Sequence, residues 1–234
     1  MRAGLCSILA EASGDGRIGA IVLTGAGGRA FCAGQDLNES AALSGTAGAG
    51  WMHTWRDFFE GVSACRKPLV AAINGVAAGA GLQLALLADI RMAVPDARLL
   101  MAEVNVGLPA IVGSYLLTQH LGRSRASELV LTGRSVPASE ARRWGLVHHL
   151  VAPEDLLSRA TEVAQELADK PPVAMRLTLG NLRRALRAGL AETEQAAQSY
   201  QTEAIATGEP QEAMARFLSA RASGHEREST KTRV

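Results

Sequence analysis

The sequence predicts an α/β core followed by a helical C-terminal region. Apolar runs typical of buried strands alternate with segments of helical periodicity over the first 150 residues, and almost every later segment is helical. The length of 234 residues and the apolar fraction of 47% fit a globular protein with a substantial core. We therefore expect the core over residues 1–170, helices over 171–222 and a frayed polar tail over 223–234.

The first hundred residues contain most of the predicted strands. Leu5, Ile8 and Leu9 recur at helical spacing near the N-terminus, whereas IGAIVLTG and PLVAAINGVA are apolar runs that each predict one buried strand. Between these runs, small residues predict loops and aromatic residues at helical spacing predict a helix. The expected elements are a helix over residues 2–12, a strand over 18–25, a glycine-rich loop over 25–36, a mobile segment over 42–50, a helix over 51–65, a strand over 68–77 and short extended segments over 89–103.

The second half of the chain is predicted to be mainly helical. Gly122 interrupts one helical pattern, Pro137 suits the start of a short helix, and Pro171–Pro172 end an amphipathic one. The expected elements are helices over residues 111–121, 123–132, 137–145 and 153–171, a strand over 145–152, and three further helical stretches that reach about residue 222.

Composition and charge narrow the classes of partner. A formal net charge of +1 and an aromatic fraction of 4% argue against nucleic acid and against anionic membrane surfaces. Cys6, Cys32 and Cys65 are odd in number and lack metal-binding spacing, so we expect reduced thiols and no metal site. No apolar run approaches the ~20 residues of a membrane span, and the N-terminus lacks a signal-peptide cleavage pattern. These features predict a cytoplasmic protein.

Two glycine-containing loops carry the candidate chemistry. AFCAGQDL (residues 30–37) and GVAAGAGLQLA (residues 75–85) each follow an apolar run, and their small residues let the backbone approach a ligand closely. The second loop leads directly into a helix, whose first N–H groups and positive dipole end lack intrahelical partners. Fixed backbone donors of this kind suit an oxyanion.

Other chemistries of glycine loops fit these residues less well. GAGGRA and GVAAGAG lack the G-x-G-x-x-G spacing of dinucleotide sites, and the sequence has neither a phosphate-loop GK[ST] nor a G-x-S-x-G nucleophile elbow. A nucleotide-dependent oxidoreductase would require NAD to protect the protein against thermal unfolding, and we expect no such protection. Either loop alone could also do no more than permit tight packing of a strand on a helix.

Four motifs in a fixed order distinguish these possibilities. They are AFCAGQDL, PLVAAINGVAAGAGLQLALLADIRMA, MAEVNVGLPA and LVLTGRSVPASEARRWGLVHHLVAPEDL. With this order and spacing the chain resembles the enoyl-CoA hydratase/isomerase, or crotonase, family over roughly residues 3–222. The resemblance implies a crotonase-like β-β-α spiral core, a C-terminal helical region over 171–222 that mediates trimerisation, and a homotrimer or a dimer of trimers.

The resemblance also implies an acyl-CoA substrate, with no cofactor apart from the coenzyme A of that substrate. Members of this family polarise the thioester carbonyl with two backbone N–H groups and so stabilise an enolate. Matched residue by residue, these donors are Gln35 and Ala80, and the family usually has glycine at the second position. The residues matched to the coenzyme A contacts are Arg29, Ala30, Ala33, Gly34, Asp36 and Leu37.

The acid–base positions depart from the family pattern. In the hydratases of this family two glutamates face the substrate across a water molecule, and their positions match Gln83 and Glu103 here. Glutamine cannot accept a proton near neutral pH, whereas one glutamate can remove a proton at one carbon and return it at another. We therefore expect isomerisation of a double bond by Glu103 beside Gln83. Hydration, slower by roughly 10²–10⁴ without its second carboxylate, and a catalytically silent CoA-binding or structural paralogue are the alternatives.

Further features concern the nucleotide part of the substrate. Family members usually begin with a strand and an N-A-L segment before the first helix, whereas this chain starts within that helix. Either the start of the sequence is misassigned, or one strand and part of the nucleotide site are missing. His148 and His149 alternate along a predicted strand, so at most one of them points inward. Basic residues either meet the CoA phosphates or form solvated helix faces; they are Arg142, Arg143, Arg183, Arg184 and Arg187.

Overall fold

A computed structural model of the chain describes residues 1–37, 39 and 47–231, with side chains over 1–37, 39 and 53–220. Its helices are α1 (Arg2–Gly14), α2 (Ala47–Ser63), α3 (Ala80–Leu87), α4 (Ile111–Thr132), α5 (Ala138–Arg143), α6 (Leu156–Ala168), α7 (Pro172–Thr207) and α8 (Glu209–Lys231), with a 3-10 helix over Glu103–Val106. Its strands are β1 (Ile21–Thr24), β2 (Ala30–Cys32), β3 (Leu69–Ile73), β4 (Val76–Ala78), β5 (Ile90–Ala93), β6 (Arg98–Leu100), β7 (Ser135–Pro137) and β8 (His149–Leu150).

In the described residues the strands form two sheets of four. The first sheet has the order β1-β3-β5-β8, and all of its pairs are parallel. The second has the order β2-β4-β6-β7, with parallel pairs except for the antiparallel edge strand β7. Strand β3 is buried at every position and α6 packs against β1 and β3, as a parallel strand covered by helices requires. The predicted α/β fold class is confirmed.

The prediction of one strand over residues 68–77 is wrong, because the chain changes sheets within it. Asn74 and Gly75 separate β3 from β4, and the Asn74 side chain pairs with the backbone of Gly25 and donates to the carbonyl of Gly27. A Cβ on Gly75 would lie 2.4 Å from the carbonyl oxygen of Arg29, so the turn depends on glycine. The polar side chain and the close approach together divide one apolar run between two sheets.

Strands β2 and β7 were not predicted. Strand β2 lies inside the segment expected to be a glycine-rich loop over residues 25–36, and its three residues are too few for a periodic signal. Strand β7 ends at Pro137, which an edge strand tolerates because no further strand needs its missing N–H. The strand expected over 145–152 shortens to β8, whose two residues pair with β5.

The helices follow the predictions closely up to residue 171. Helix α4 is interrupted at Gly122 (φ 73°, ψ 164°), where the sequence placed a break. Residues 47–50 of the expected mobile segment belong to α2, and residues 42–46 lie outside the described residues. The expected helices over 2–12, 51–65, 137–145 and 153–171 correspond to α1, α2, α5 and α6.

The C-terminal region contains two described helices where three were expected. Gly180 and Gly189 do not interrupt α7, and the break occurs at Gly208, whose φ of 78° is the left-handed conformation that ends helices. Helix α8 continues to Lys231, past residue 223 where the polar tail was expected to begin, and residues 232–234 lie outside the described part. None of the described helices is both long and apolar enough to span a membrane.

Arg183 ties α7 to the core, so it does not belong to a solvated or phosphate-binding face. Its side chain is buried, and its guanidinium donates to the Asp89 carboxylate and to the carbonyl oxygens of Cys65 and Lys67. The carboxylate of Asp89 also accepts the N–H of Leu69 at 2.8 Å. The Arg183 cation therefore joins the start of β3, the end of α3 and the fourth turn of α7.

Of the two adjacent histidines, His148 is the one that points inward. Its Nδ1 accepts the N–H of Arg91 at 2.9 Å, while His149 is exposed. Burial and the nearby Arg91 cation lower the pKa of His148 to about 4, so its ring is neutral at pH 7.

The three cysteines, Cys6, Cys32 and Cys65, form no disulfide.

Candidate active site

Three adjacent parallel strands bring the predicted site residues to one edge of the second sheet. Strand β2 pairs with β4, and β4 pairs with β6, all running in the same direction. Gln35 follows β2, Ala80 follows β4, and Glu103 follows β6. Because the carboxyl ends of parallel strands meet at one edge of a sheet, three segments far apart in sequence converge there.

Gly34 sets the distance between the first two loops. Its φ is 93°, a conformation that side chains other than glycine rarely adopt. A Cβ at this position would lie 2.7 Å from the carbonyl oxygen of Ala78 and 3.7 Å from the backbone nitrogen of Ala80. The backbone that leads into Gln35 therefore passes directly beside the start of α3.

Ala80 is the first residue of α3, and the surrounding glycines aim this helix end at the loop. Gly79 precedes the helix with a φ of 50°, and its own N–H donates to the carbonyl oxygen of Leu100 at 2.9 Å. A Cβ on Gly81 would lie 2.1 Å from the carbonyl oxygen of Cys32, so α3 packs tightly against the end of β2. The N–H groups of the first helical turn have no acceptor within the helix and carry its positive dipole end.

The two residues matched to the acid–base positions of the family contact each other directly. Gln83 is buried one turn into α3, and its side-chain nitrogen donates a hydrogen bond of 2.8 Å to Oε1 of Glu103. The same nitrogen lies 3.6 Å from the sulfur of Met101. The other carboxylate oxygen, Oε2 of Glu103, is buried and has no hydrogen-bond partner among the described residues.

Burial raises the pKa of Glu103 to about 7, since the ionised carboxylate is poorly solvated there. Hydrogen bonds from its own backbone N–H and from Gln83 favour the ionised form and oppose this shift. Gly79 faces the same carboxylate, because a Cβ on it would lie 3.4 Å from Oε1 of Glu103. A carboxyl group with a pKa near 7 can both accept and donate a proton at neutral pH.

Comparison with known proteins shows the family. The sequence model of "Enoyl-CoA hydratase/isomerase" matches residues 1–227. The chain belongs to this family.

Relatives of the enoyl-CoA hydratase/isomerase family carry more than one kind of name. A short-chain-enoyl-CoA hydratase of Clostridium acetobutylicum is 31% identical over 219 residues, which cover 92% of this chain and 82% of that protein. A 1,2-epoxyphenylacetyl-CoA isomerase of Escherichia coli is 38% identical over 182 residues, which cover 76% of this chain and 69% of that protein. A crystal structure of an enoyl-CoA hydratase/isomerase from Mycobacterium paratuberculosis has a TM-score of 0.84 and 29% identity, covering 92% of this chain and 86% of that one. The resemblance predicted from the motifs is thus confirmed.

All the residues that the family resemblance singled out line one cavity of about 760 Å³. It contains the matched acid–base pair and the two matched oxyanion-hole residues, together with the segment matched to coenzyme A contacts. These residues are Arg29, Ala30, Ala33, Gly34, Gln35, Asp36, Leu37, Ala80, Gln83 and Glu103.

The wall of this cavity was not predicted in full. Trp55 and Phe59 were expected only as core residues of α2, and they line the cavity as well. Helix α7 adds Ala197 and Gln201, and α8 adds Phe217. Nothing in the sequence distinguishes these positions from ordinary helix surface, because their role depends on how α7 and α8 fold back over the sheet edge.

Among the described residues, no group of three side chains is placed to bind a metal ion.

Proposed function

We propose that this protein moves the double bond of an enoyl-CoA thioester from the β,γ to the α,β position, with Glu103 as its acid–base residue. The observation that carries the proposal is the hydrogen-bonded pair of Gln83 and Glu103 on the cavity wall. Gln83 places an amide beside the Glu103 carboxylate, at the position where a site with two carboxylates would have its second proton acceptor. The confirmed family supports an acyl-CoA substrate, since family members act on such thioesters.

In the proposed reaction Glu103 first removes a proton from the α-carbon of the substrate. The C–H electron pair forms a double bond between the α-carbon and the thioester carbon, and the carbonyl π electrons move to oxygen, which gives a dienolate. Glu103, now protonated, returns the proton to the γ-carbon, where the electron pair of the former β,γ double bond forms the new C–H bond. The thioester carbonyl is restored, the α,β double bond forms, and Glu103 becomes a carboxylate again. Atoms and electrons balance without any external oxidant, reductant or water.

The remaining site residues stabilise or orient the intermediate in this proposal. The N–H groups of Gln35 and Ala80 donate to the thioester oxygen, where negative charge develops in the dienolate. Gln83 acts as a positioning residue that holds Oε1 of Glu103 and leaves Oε2 for the proton. The backbone around Arg29, Ala30 and Ala33 would follow the pantetheine arm and nucleotide. Coenzyme A enters as part of the substrate, and assembly as a homotrimer or a dimer of trimers belongs to the same proposal.

Hydration of an α,β-enoyl-CoA is the second candidate. The name of the Clostridium acetobutylicum relative favours it. A water molecule would have to be activated by Glu103 alone, because the Gln83 amide is not a base. Loss of one general base costs roughly 10²–10⁴ in rate, so hydration is expected to be the slower reaction here.

The experiment compares both reactions on matched substrates. Purified protein is incubated with trans-3-enoyl-CoA and trans-2-enoyl-CoA esters of the same chain length, and products are quantified by mass spectrometry after chromatography. We expect the trans-3 ester to convert to the conjugated trans-2 ester at least tenfold faster than the trans-2 ester is hydrated. Faster hydration would overturn the isomerase assignment, and no conversion of either ester over a series of chain lengths would favour the catalytically silent alternative.

The matched variants for this experiment are Glu103→Gln and Glu154→Gln. Both remove one carboxylate, but Glu154 is exposed in the turn before α6 and lies outside the cavity lining. Only Glu103→Gln should abolish the conversion.

A further inference from the structure

Glu194 is a second buried carboxylate that the proposed reaction does not use. It lies on α7 and is 7% exposed, and both of its carboxylate oxygens lack a hydrogen-bond partner among the described residues. Burying a carboxylate without such partners is costly, so natural proteins rarely keep one without a reason. Its presence therefore calls for a ligand group that can donate to it.

Glu194 lines a cavity of about 380 Å³ that adjoins the active-site cavity. Trp55, Phe59, Val112 and Ala197 line both cavities, so the two spaces adjoin along these residues. This shared surface is apolar apart from the indole nitrogen of Trp55.

The polar residues that line the second cavity indicate which chemical group the end of the acyl chain remote from the thioester should carry. His53, Arg56, Glu60, Gln195 and Gln198 line the cavity and are exposed, whereas Glu194 is buried. The Arg56 guanidinium lies 3.9 Å from the Glu60 carboxylate, so part of its charge is already neutralised.

The charges around Glu194 favour a neutral donor over an acidic group. Burial, followed by repulsion from Glu60 and to a lesser extent Asp57, raises the pKa of Glu194 to about 7, with Arg56 opposing the shift. An additional carboxylate in this cavity would meet the same repulsion. A hydroxyl group can instead donate to the Glu194 oxygens without adding charge.

We propose that this second cavity is a distal subsite for an acyl-CoA that carries a hydroxyl group at the end remote from the thioester, with Glu194 accepting the hydrogen bond of that hydroxyl. The inference rests on the proposed function, because it assumes that the acyl group occupies the active-site cavity and that its end passes the four shared residues into the second cavity. It deepens that function by naming a substrate class: ω-hydroxyacyl thioesters bind better than plain ones, and ω-carboxyacyl thioesters bind worse.

Binding of saturated esters tests the subsite without requiring turnover. Acyl-CoA esters of six, eight and ten carbons, each with a terminal methyl, hydroxyl or carboxylate, are titrated into the full-length protein by calorimetry. A hydrogen bond to a charged group is worth on the order of a tenfold change in affinity. We expect roughly that preference for the hydroxyl ester over the methyl ester at one chain length at least, and weaker binding of the carboxylate ester.

Three variants assign the preference to Glu194. Glu194→Leu should abolish it, and Glu194→Gln should keep a smaller preference because its amide oxygen still accepts a hydrogen bond. Glu192→Leu is the matched control, since Glu192 lies on the same helix but is exposed and outside the cavity lining. Thermal unfolding checks that each variant is folded, and Glu194→Gln carries the test if Glu194→Leu does not fold.

The outcomes separate this inference from the proposed function. Equal affinities for all three end groups, a hydroxyl preference that persists in Glu194→Leu, or one that is undiminished in Glu194→Gln would overturn the subsite even if trans-3-enoyl-CoA is isomerised. A hydroxyl preference without any isomerisation would support the subsite and overturn the isomerase assignment. No binding of any ester would overturn both. A change of molecular mass in sedimentation for Glu194→Leu, with end-group affinities unaltered, would show that the cavity is an interface between copies of this chain and would also overturn the subsite.

Discussion

The side-chain amide of Gln83 donates a hydrogen bond of 2.8 Å to Oε1 of Glu103, while Oε2 of the same carboxylate has no partner among the described residues. In the proposed reaction the amide holds one oxygen of the carboxylate and the other exchanges the proton. Gln83 then acts as a positioning residue, and the acid–base chemistry falls to Glu103.

The pH dependence of the reaction should follow the ionisation of Glu103. Its pKa is raised to about 7 by burial, and the protonated form cannot accept the α-proton. The value of kcat/KM for a trans-3-enoyl-CoA should therefore be constant above about pH 8 and fall as pH decreases through about 7. Steady-state kinetics from pH 5 to 9 check this expectation. A profile that is flat across pH 7 would contradict the assignment of Glu103.

Replacement of Gln83 by methionine should move that profile to higher pH. The variant retains a side chain of similar length but loses the hydrogen bond that favours the ionised form of Glu103, so the pKa of Glu103 rises. The rate above the new pKa should fall less than in Glu103→Gln, because the base itself remains. An unchanged midpoint would show that the amide does not act on Glu103.

Replacement of Gln83 by glutamate should introduce the missing second carboxylate. Two carboxylates this close cannot both ionise readily, so the pair should titrate in two coupled steps with one pKa strongly raised. We expect the ratio of hydration to isomerisation to increase, because a second group can then activate water. Product ratios measured with matched trans-2 and trans-3 esters check this, and an unaltered ratio would count against the role given to the amide.

The N–H of Ala80 can be removed with little change to the helix. Proline is tolerated at the first position of a helix, and Ala80→Pro lacks the donor proposed for the oxyanion. Loss of one such donor costs roughly 10²–10³ in kcat. Ala80→Gly keeps the N–H and removes only the methyl group, so its kcat should change little. Circular dichroism verifies the fold, and equal losses in the two variants would contradict the oxyanion role.

The Arg183 contacts should contribute strongly to stability. Arg183→Met leaves the Asp89 carboxylate and two backbone carbonyls without their buried cation, and such a loss costs about 3–5 kcal/mol in the free energy of unfolding. Arg184→Met is the matched control, because Arg184 is exposed on the same helix. Denaturant unfolding measures both, and equal stability of the two variants would contradict the account of Arg183.

Much of the site could be predicted because its residues lie in short motifs at the ends of strands. Gln35, Ala80, Gln83 and Glu103 were all identified from motif positions, and the structure brings them to one cavity. The roles given to them remain predictions. The direct bond between Gln83 and Glu103 could not be read from the sequence, because it depends on the register of β4 against β6.

The errors in the predicted fold have local physical reasons. The apolar run over residues 68–77 looked continuous, but the hydrogen bonds of Asn74 and the close approach at Gly75 divide it between two sheets. Three helical stretches were expected after residue 171, whereas α7 continues through Gly180 and Gly189 to Thr207. The burial of Glu194 is likewise a tertiary effect, since the nearby polar residues Glu192 and Gln195 are exposed.

Exchange of the α-protons of an acyl-CoA with heavy water tests the central claim most directly. The measurement isolates the proton transfer from the later steps, and nuclear magnetic resonance follows the loss of the α-proton signal. We predict exchange well above background with the unaltered protein and with Glu154→Gln, and none above background with Glu103→Gln. Exchange that persists in Glu103→Gln would contradict the claim that Glu103 carries the proton.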